Sequence, residues 1–213
     1  MEKLIEVTRE LRNPKTGCPW DREQTFSSIS YCAIEEAYEV VEAIEEKDYE
    51  SLKNELGDLL FQVVFHSEMA REMNLFEFDD VVNAISEKLI SRHPHVFGGT
   101  TIDDVKTQTD LWERQKIQEM EQSGEKTSVL DGIGKNQPAL NRAYKLGKRA
   151  SSVGFDWQSS EDVMTKISEE LDELTLALKS GEAALIEEEL GDLLFSVVNL
   201  ARSTQKNPET ALR

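Results

Sequence analysis

The sequence predicts an all-α protein built as a tandem repeat of one helical module. Three observations carry that expectation. Apolar residues recur at intervals of three and four along most of the chain, the period of a helix with one buried face. No stretch reads as a strand. A segment of the first half returns in the second: Glu55-Leu56-Gly57-Asp58-Leu59-Leu60-Phe61 is repeated as Glu189-Leu190-Gly191-Asp192-Leu193-Leu194-Phe195.

The elements follow in order. Residues 2–12 place Leu4, Val7 and Leu11 at helical spacing, and Asn13-Pro14-Lys15-Thr16-Gly17 ends that helix. Cys18-Pro19-Trp20-Asp21 reads as an ordered loop with Trp20 as a structural residue. The next helix spans about Ser27 to Glu46, through Ile34, Ala37, Val41 and Ile44, and Lys47-Asp48 turns the chain. A longer helix runs from about Tyr49 to Met73. Phe78-Asp79-Asp80-Val81 marks another start, with an Asp as N-cap. That helix reaches about Arg92, where the His93-Pro94-His95 turn stops it. Residues 1–97 thus form a first module.

Residues 98–137 differ in character. Gly98-Gly99-Thr100-Thr101 reads as a hinge, Asp103 to about Met120 as one polar helix, and Gln122 to Pro138 as a linker. The pattern restarts over 138–213. Leu140 to about Ala150 is a basic amphipathic helix with Arg142, Lys145, Lys148 and Arg149. Gly154-Phe155-Asp156-Trp157 is a loop similar to Cys18–Asp21. Ser159 or Ser160 caps a helix through about Leu178, Gly181 suits a left-handed C-terminal turn, and residues 182–204 form the paired helix. Thr210-Ala211-Leu212-Arg213 lie where the counterpart of the Phe78–Arg92 helix begins, so the second module is expected to lack its last helix.

The repeat extends well past seven residues. The shift of 134 that takes Glu55 to Glu189 also superposes Glu35, Glu36 and Glu39 on Glu169, Glu170 and Glu173, without a gap. One helical hairpin cannot bury its own apolar stripe, so the copies pack together, or against a second chain, as a bundle.

Forty-two acidic residues against 24 basic give a formal charge of -18. That field repels a nucleic-acid polymer, and a small anionic substrate binds only beside cations. No run approaches ~18 uncharged apolar residues, so no membrane span is expected. Cys18 and Cys32 make no disulfide framework and the start has no secretory h-region, which places the protein by default in the cytoplasm.

The chemistry lies in the repeated acids. On a helix, residues three or four apart share a face. Antiparallel pairing would bring Glu36 and Glu39 to Glu55 and Asp58, and likewise Glu170 and Glu173 to Glu189 and Asp192. Like charges that close persist only if a cation neutralises them or some take up protons. Hard oxygen ligands favour Mg²⁺, Mn²⁺ or Ca²⁺, and Mg²⁺ keeps positions for water and phosphate oxygens, which suits hydrolysis of a phosphoanhydride. Gly57 and Gly191, each costing ~1 kcal/mol in a helix, suggest close approach by a helix or ligand. Lys166 lies four residues before Glu170, placed to reach a phosphate, whereas its counterpart is Cys32. This favours the second copy as catalytic and the first as a scaffold. Trp157 is a candidate base-stacking residue or a core aromatic. Lys145 is a candidate phosphate contact.

Glu-Glu-x-x-Glu, a turn, then Glu-x-x-Asp is similar to the signature of the all-α nucleoside triphosphate pyrophosphohydrolases. Gly17-Cys18-Pro19-Trp20-Asp21, Glu55 to Phe65, Arg92-His93-Pro94-His95-Val96-Phe97 and Val153-Gly154-Phe155-Asp156-Trp157 resemble the two-domain MazG proteins, over essentially the whole chain. The resemblance implies Mg²⁺-dependent hydrolysis of (deoxy)nucleoside triphosphates to monophosphate and pyrophosphate. It also implies a homodimer, in which four-helix-bundle packing is completed. Carried over, the metal ligands are Glu170, Glu173, Glu189 and Asp192, and in the first copy Glu36, Glu39, Glu55 and Asp58. Glu169 and Glu188 are nearby carboxylates for orienting water. Broad base tolerance is the leading expectation. The alternatives are a house-cleaning hydrolase of one noncanonical nucleotide, and a non-catalytic, metal-stabilised dimer that binds nucleotide.

Overall fold

The structure is a computed structural model and describes residues 1–99 and 128–213, with 108, 111, 112 and 115 between them. The polar helix expected from Asp103 to Met120 and much of the linker lie outside the described residues. All regular structure among the described residues is helical. The chain divides into two compact units, Met1–Gly99 and Thr100–Arg213.

The first unit runs α1 (Glu2–Leu11), α2 (Pro19–Glu23), α3 (Cys32–Glu46), α4 (Tyr49–Glu72), α5 (Phe78–Arg92) and α6 (Pro94–Phe97). α3 and α4 pack as a hairpin. Its turn is local chemistry: Lys47 adopts φ 58°, and Asp48 caps α4 by accepting the Glu50 and Ser51 N–H groups at 3.1 and 3.0 Å. Ile29, Phe65 and Met69 form the buried centre, with Phe26, Cys32 and Phe61 against it. Each such large side chain contributes about 1.5–3 kcal/mol by leaving water. α1 lies on α4, and Arg12 at its end donates to both Glu72 oxygens at 2.8 and 2.7 Å.

The second unit runs α7 (Ala139–Ser151), α8 (Ser160–Ser180), α9 (Ala183–Ser203) and α10 (Pro208–Leu212). α8 and α9 repeat the hairpin. Ser159 is the cap: its Oγ accepts the Asp162 N–H at 3.2 Å, while the Asp162 carboxylate accepts the Ser159 N–H at 3.0 Å. Gly181, at φ 73°, stands where Lys47 stands in the first hairpin. The core repeats too, since buried Ile29, Ala43 and Val64 correspond to buried Val163, Ala177 and Val198. Beyond Val198 the correspondence slips. Asn74 (φ 56°) follows α4 and Gln205 (φ 58°) follows α9, three residues sooner than the shift of 134 predicts. Three residues is about one helical turn, so α9 ends one turn early.

Several expectations change. The Cys18–Asp21 stretch is not a loop: Pro19 opens α2 at the position where a missing N–H costs nothing. Trp20 is 57% exposed and is not a core residue of its unit. α3 begins at Cys32, not Ser27, because the preceding turns carry Ile29 into the core. The cap of α5 is Glu77, not an Asp; its N–H donates to the Asp80 carboxylate at 2.8 Å. His93 ends α5, but Pro94 starts a further short helix. The short α10 is capped by the Asn207 side chain on the Thr210 N–H at 3.0 Å.

Candidate metal centre

Each hairpin brings three carboxylates together. In the second unit one oxygen each of Glu170 and Glu173 on α8 and Glu189 on α9 lie within 4.8 Å of one another. In the first unit Glu36 and Glu39 on α3 and Glu55 on α4 do the same. The i,i+3 spacing on one helix and antiparallel return of the other produce this convergence. Asp58 and Asp192 lie outside these groups of three but close to them. Asp192 helps raise the Glu189 pKa, and Asp58 helps raise those of Glu36 and Glu55.

The electrostatics are those of crowded acids. Loss of hydration first, then the charges of Glu173, Glu170, Asp192 and Glu188, hold the Glu189 carboxyl above its usual range. Glu36 and Glu55 are raised in the same way, by desolvation first and then by Glu39 and Asp58. Carboxylates that resist ionisation together are stabilised by a shared cation. An all-oxygen donor set of this kind fits a hard divalent ion.

Lys166 separates the two groups. Its Nζ lies 2.8 Å from Glu170 and 3.4 Å from Glu169, and hydrogen bonding to Glu170 raises its pKa. With that partner the Glu170 side chain is buried to 6% exposure. Glu36, which has Cys32 in the equivalent place, stays half-buried. Glu169 and Glu188 are exposed. Trp157 is half-buried in a loop that Arg202 ties down through Asp156.

Two further features concern the glycines and Lys145. A Cβ at Gly57 or Gly191 meets nothing within 4 Å, so among the described residues no other helix approaches these glycines closely. Lys145 lines a cleft with Tyr144, Lys148 and Asn207 that includes no member of the acidic group. The reason is packing: α7 lies where Gly147 meets Asn199 and Arg202, on the C-terminal half of α9, while Glu189 is in its first half.

The sequence reading also missed an ion-pair network in the first unit. Glu68 is 4% exposed and is held by Arg9 at 3.4 Å and Arg71 at 2.5 Å. The shift of 134 sets Glu68 against Arg202, which pairs with Asp156, so the sign of the charge is reversed between the copies. That reversal was readable from the repeat.

A duplicated helical hairpin with a group of three carboxylates in each copy defines a tandem all-helical protein with two places that could hold a metal ion. The chain matches the MazG nucleotide pyrophosphohydrolase domain over residues 24–97 and 158–212. It is 45% identical over 215 residues to a nucleoside triphosphate pyrophosphohydrolase of Escherichia coli (strain K12), an alignment covering 100% of this chain and 81% of that protein. It is 47% identical over 212 residues to the nucleoside triphosphate pyrophosphohydrolase/pyrophosphatase MazG of Thermotoga maritima, covering 100% of this chain and 79% of that one. The chain belongs to the MazG nucleotide pyrophosphohydrolase family.

Proposed function

We propose that the second unit hydrolyses nucleoside triphosphates to nucleoside monophosphate and pyrophosphate. Family membership supports nucleotide pyrophosphohydrolysis, and the names of the E. coli and T. maritima relatives support triphosphates as substrates. The observation that carries the reading is the Glu170, Glu173 and Glu189 group with Lys166 beside it.

Mg²⁺ is the proposed cation, with Mn²⁺ as a substitute, held by these three residues and Asp192. When bound, such an ion neutralises phosphate charge and lowers the pKa of a coordinated water. The chain's own residues do the rest. Lys166, paired with Glu170 here, would be freed where that carboxylate served as a ligand, and its ammonium would then hold a phosphate oxygen. Glu169 and Glu188 are exposed carboxylates next to the group, placed to orient water and take its proton. Trp157 offers a face for the base, and stacking is tolerant of base identity, which supports broad base tolerance.

The first unit has the carboxylates but not the lysine, and is proposed to hold a cation as a scaffold. Functional boundaries at 1–97, 98–137 and 138–213 go with this division. A homodimer is proposed because Leu190, Leu194 and Val197 on α9, and Leu56, Leu60 and Val63 on α4, are exposed apolar stripes. Two free cysteines support a cytoplasmic location.

The test is product analysis with ATP, GTP and dCTP under Mg²⁺. Pyrophosphate with monophosphate, at similar rates for all three, is expected. Orthophosphate with diphosphate would overturn the reaction. A strong preference for one noncanonical nucleotide would replace broad tolerance with a house-cleaning role.

A further inference from the structure

In the second unit a lysine already occupies the carboxylate group. Glu170 is one of the three residues whose oxygens lie within 4.8 Å of one another. Its side chain is 6% exposed, and the Lys166 Nζ stands 2.8 Å from it. The same ammonium lies 3.4 Å from Glu169. Lys166 is itself 39% exposed, so its ammonium reaches from the surface onto a buried carboxylate. These contacts run along one helix, α8, at i,i+3 and i,i+4 spacing. The first unit is built otherwise. Cys32 holds the position of the lysine, and among the described residues no cation pairs with Glu36, Glu39 or Glu55.

A buried carboxylate is costly without a counter-ion, and Lys166 fills that role for Glu170. A divalent ion arriving alone competes with this ammonium. It must share Glu170 with a like charge close by, or push the lysine into water with nothing to receive it. A nucleotide changes the balance, because its phosphate oxygens accept the ammonium in a charge-assisted hydrogen bond. Glu170 is then free to act as a ligand. A site that is competent only part of the time loses apparent affinity by that fraction, and a second ligand that frees it restores the affinity.

We propose that Lys166 is an internal counter-ion that keeps the second carboxylate group from holding a bare divalent ion tightly, and that a nucleotide phosphate releases it. The lysine thereby couples cation to substrate, so that the group is filled when both are present. This rests on the reading of the second unit as the site of nucleotide hydrolysis. It adds an order of events that the carboxylates alone do not impose.

Equilibrium dialysis at a fixed free Mn²⁺ concentration tests it, because it counts the ions held by each chain without any turnover. In the absence of nucleotide, Glu189→Gln should leave the Mn²⁺ count of the parent chain unchanged, since its group is not filled. Lys166→Gln should gain a further ion, an affinity increase of about tenfold or more, and adding Glu189→Gln to that variant should remove it. Lys166→Arg keeps the charge and should gain none. The parent chain should gain the same ion when α,β-methylene-ATP is added, an analogue whose α–β bridge does not hydrolyse. Helical circular dichroism checks the folding of Lys166→Gln, and the Lys166→Arg and nucleotide arms do not depend on that variant. Loss of Mn²⁺ in Glu189→Gln without nucleotide, no gain in folded Lys166→Gln, or no gain with the analogue overturns the proposal. A gain in Lys166→Arg overturns it too, since charge would not be the cause. Product analysis tests the underlying reaction separately: orthophosphate release from ATP would refute the hydrolytic reading and leave these counts standing.

Discussion

Lys166 is the single side chain that makes the two acidic groups unequal. It lets Glu170 be buried, while Glu36, without it, is held part-exposed with a raised carboxyl pKa. Glu189→Gln is therefore expected to lower turnover by about 100-fold or more, the upper end of what even outer-shell partners of a metal cost. Glu55→Gln should leave turnover within about twofold, by the proposed scaffold role and the same reasoning. Pyrophosphate release reads both, and equal losses would make the copies equivalent. The raised carboxyls also set a pH dependence. A carboxyl raised by folding binds protons in the folded state that the unfolded chain does not hold, so stability falls as pH rises through the raised value. Glu36, Glu55 and Glu189 all act in that direction. Asp48 and Asp156 are lowered, mainly by hydrogen bonds from Ser51 and Arg202, and lose their contribution only at more acid pH. Cation-free protein in EDTA should thus gain Tm as pH falls from neutrality into the upper carboxylate range. Mg²⁺ at neutral pH should restore that gain, and Glu189→Gln should flatten the slope. A Tm that drops steadily over that interval would contradict the crowding of these acids.

At the scale of elements, α7 is placed by a glycine. A Cβ at Gly147 would stand 2.5 Å from Asn199 Oδ1 and 3.1 Å from Arg202 Nε. Asn199 cannot easily yield, since its amide donates to Phe195 O at 3.0 Å and its oxygen accepts from Arg202 Nε at 3.2 Å. Gly147→Ala should cost about 1–3 kcal/mol through overpacking, seen as a lower denaturant midpoint with an unchanged slope. A midpoint like that of the parent would mean that α7 sits farther from α9. The same residue explains what was legible in the sequence. Asp48, Ser159 and Gly181 act through neighbours in the chain, so the hairpins and their acids could be read from spacing. α2 depends on Arg12 reaching the Asp21 carbonyl at 2.5 Å, and the start of α3 on Ile29 turning inward. The position of Lys145 depends on Gly147 meeting α9. Each is a tertiary contact with no local signature, and spacing along the chain does not show it. The carboxylate trios were legible because the repeat states their spacing twice. The Lys166–Glu170 pair stood in the sequence as the plain i,i+4 alternative to a phosphate contact, and spacing alone does not choose between them.

At the scale of the whole molecule, the apolar stripes are the feature each unit leaves unresolved. Leu190 and Leu194 are 46% and 52% exposed, one turn apart on α9. Light scattering is expected to give twice the 24.2 kDa chain mass. Leu190→Asp with Leu194→Asp should shift it toward the single-chain mass while retaining helical circular dichroism. A parent that is already monomeric would remove the dimer from the proposal.

The reversed ion pair at Glu68 and Arg202 bears on how such a chain can be inherited. A recombination between the two copies of the Glu-Leu-Gly-Asp-Leu-Leu-Phe run would fuse the front of one repeat to the back of the other and delete what lies between. Joined at the shared Glu-Leu-Gly-Asp run, the product would carry α1 with the tail of α9. Arg202 would then occupy the buried place of Glu68 without its carboxylate partner, facing the half-exposed Arg9, which is destabilising. The deletion product would fold poorly, and the pair of modules would tend to be retained as a pair.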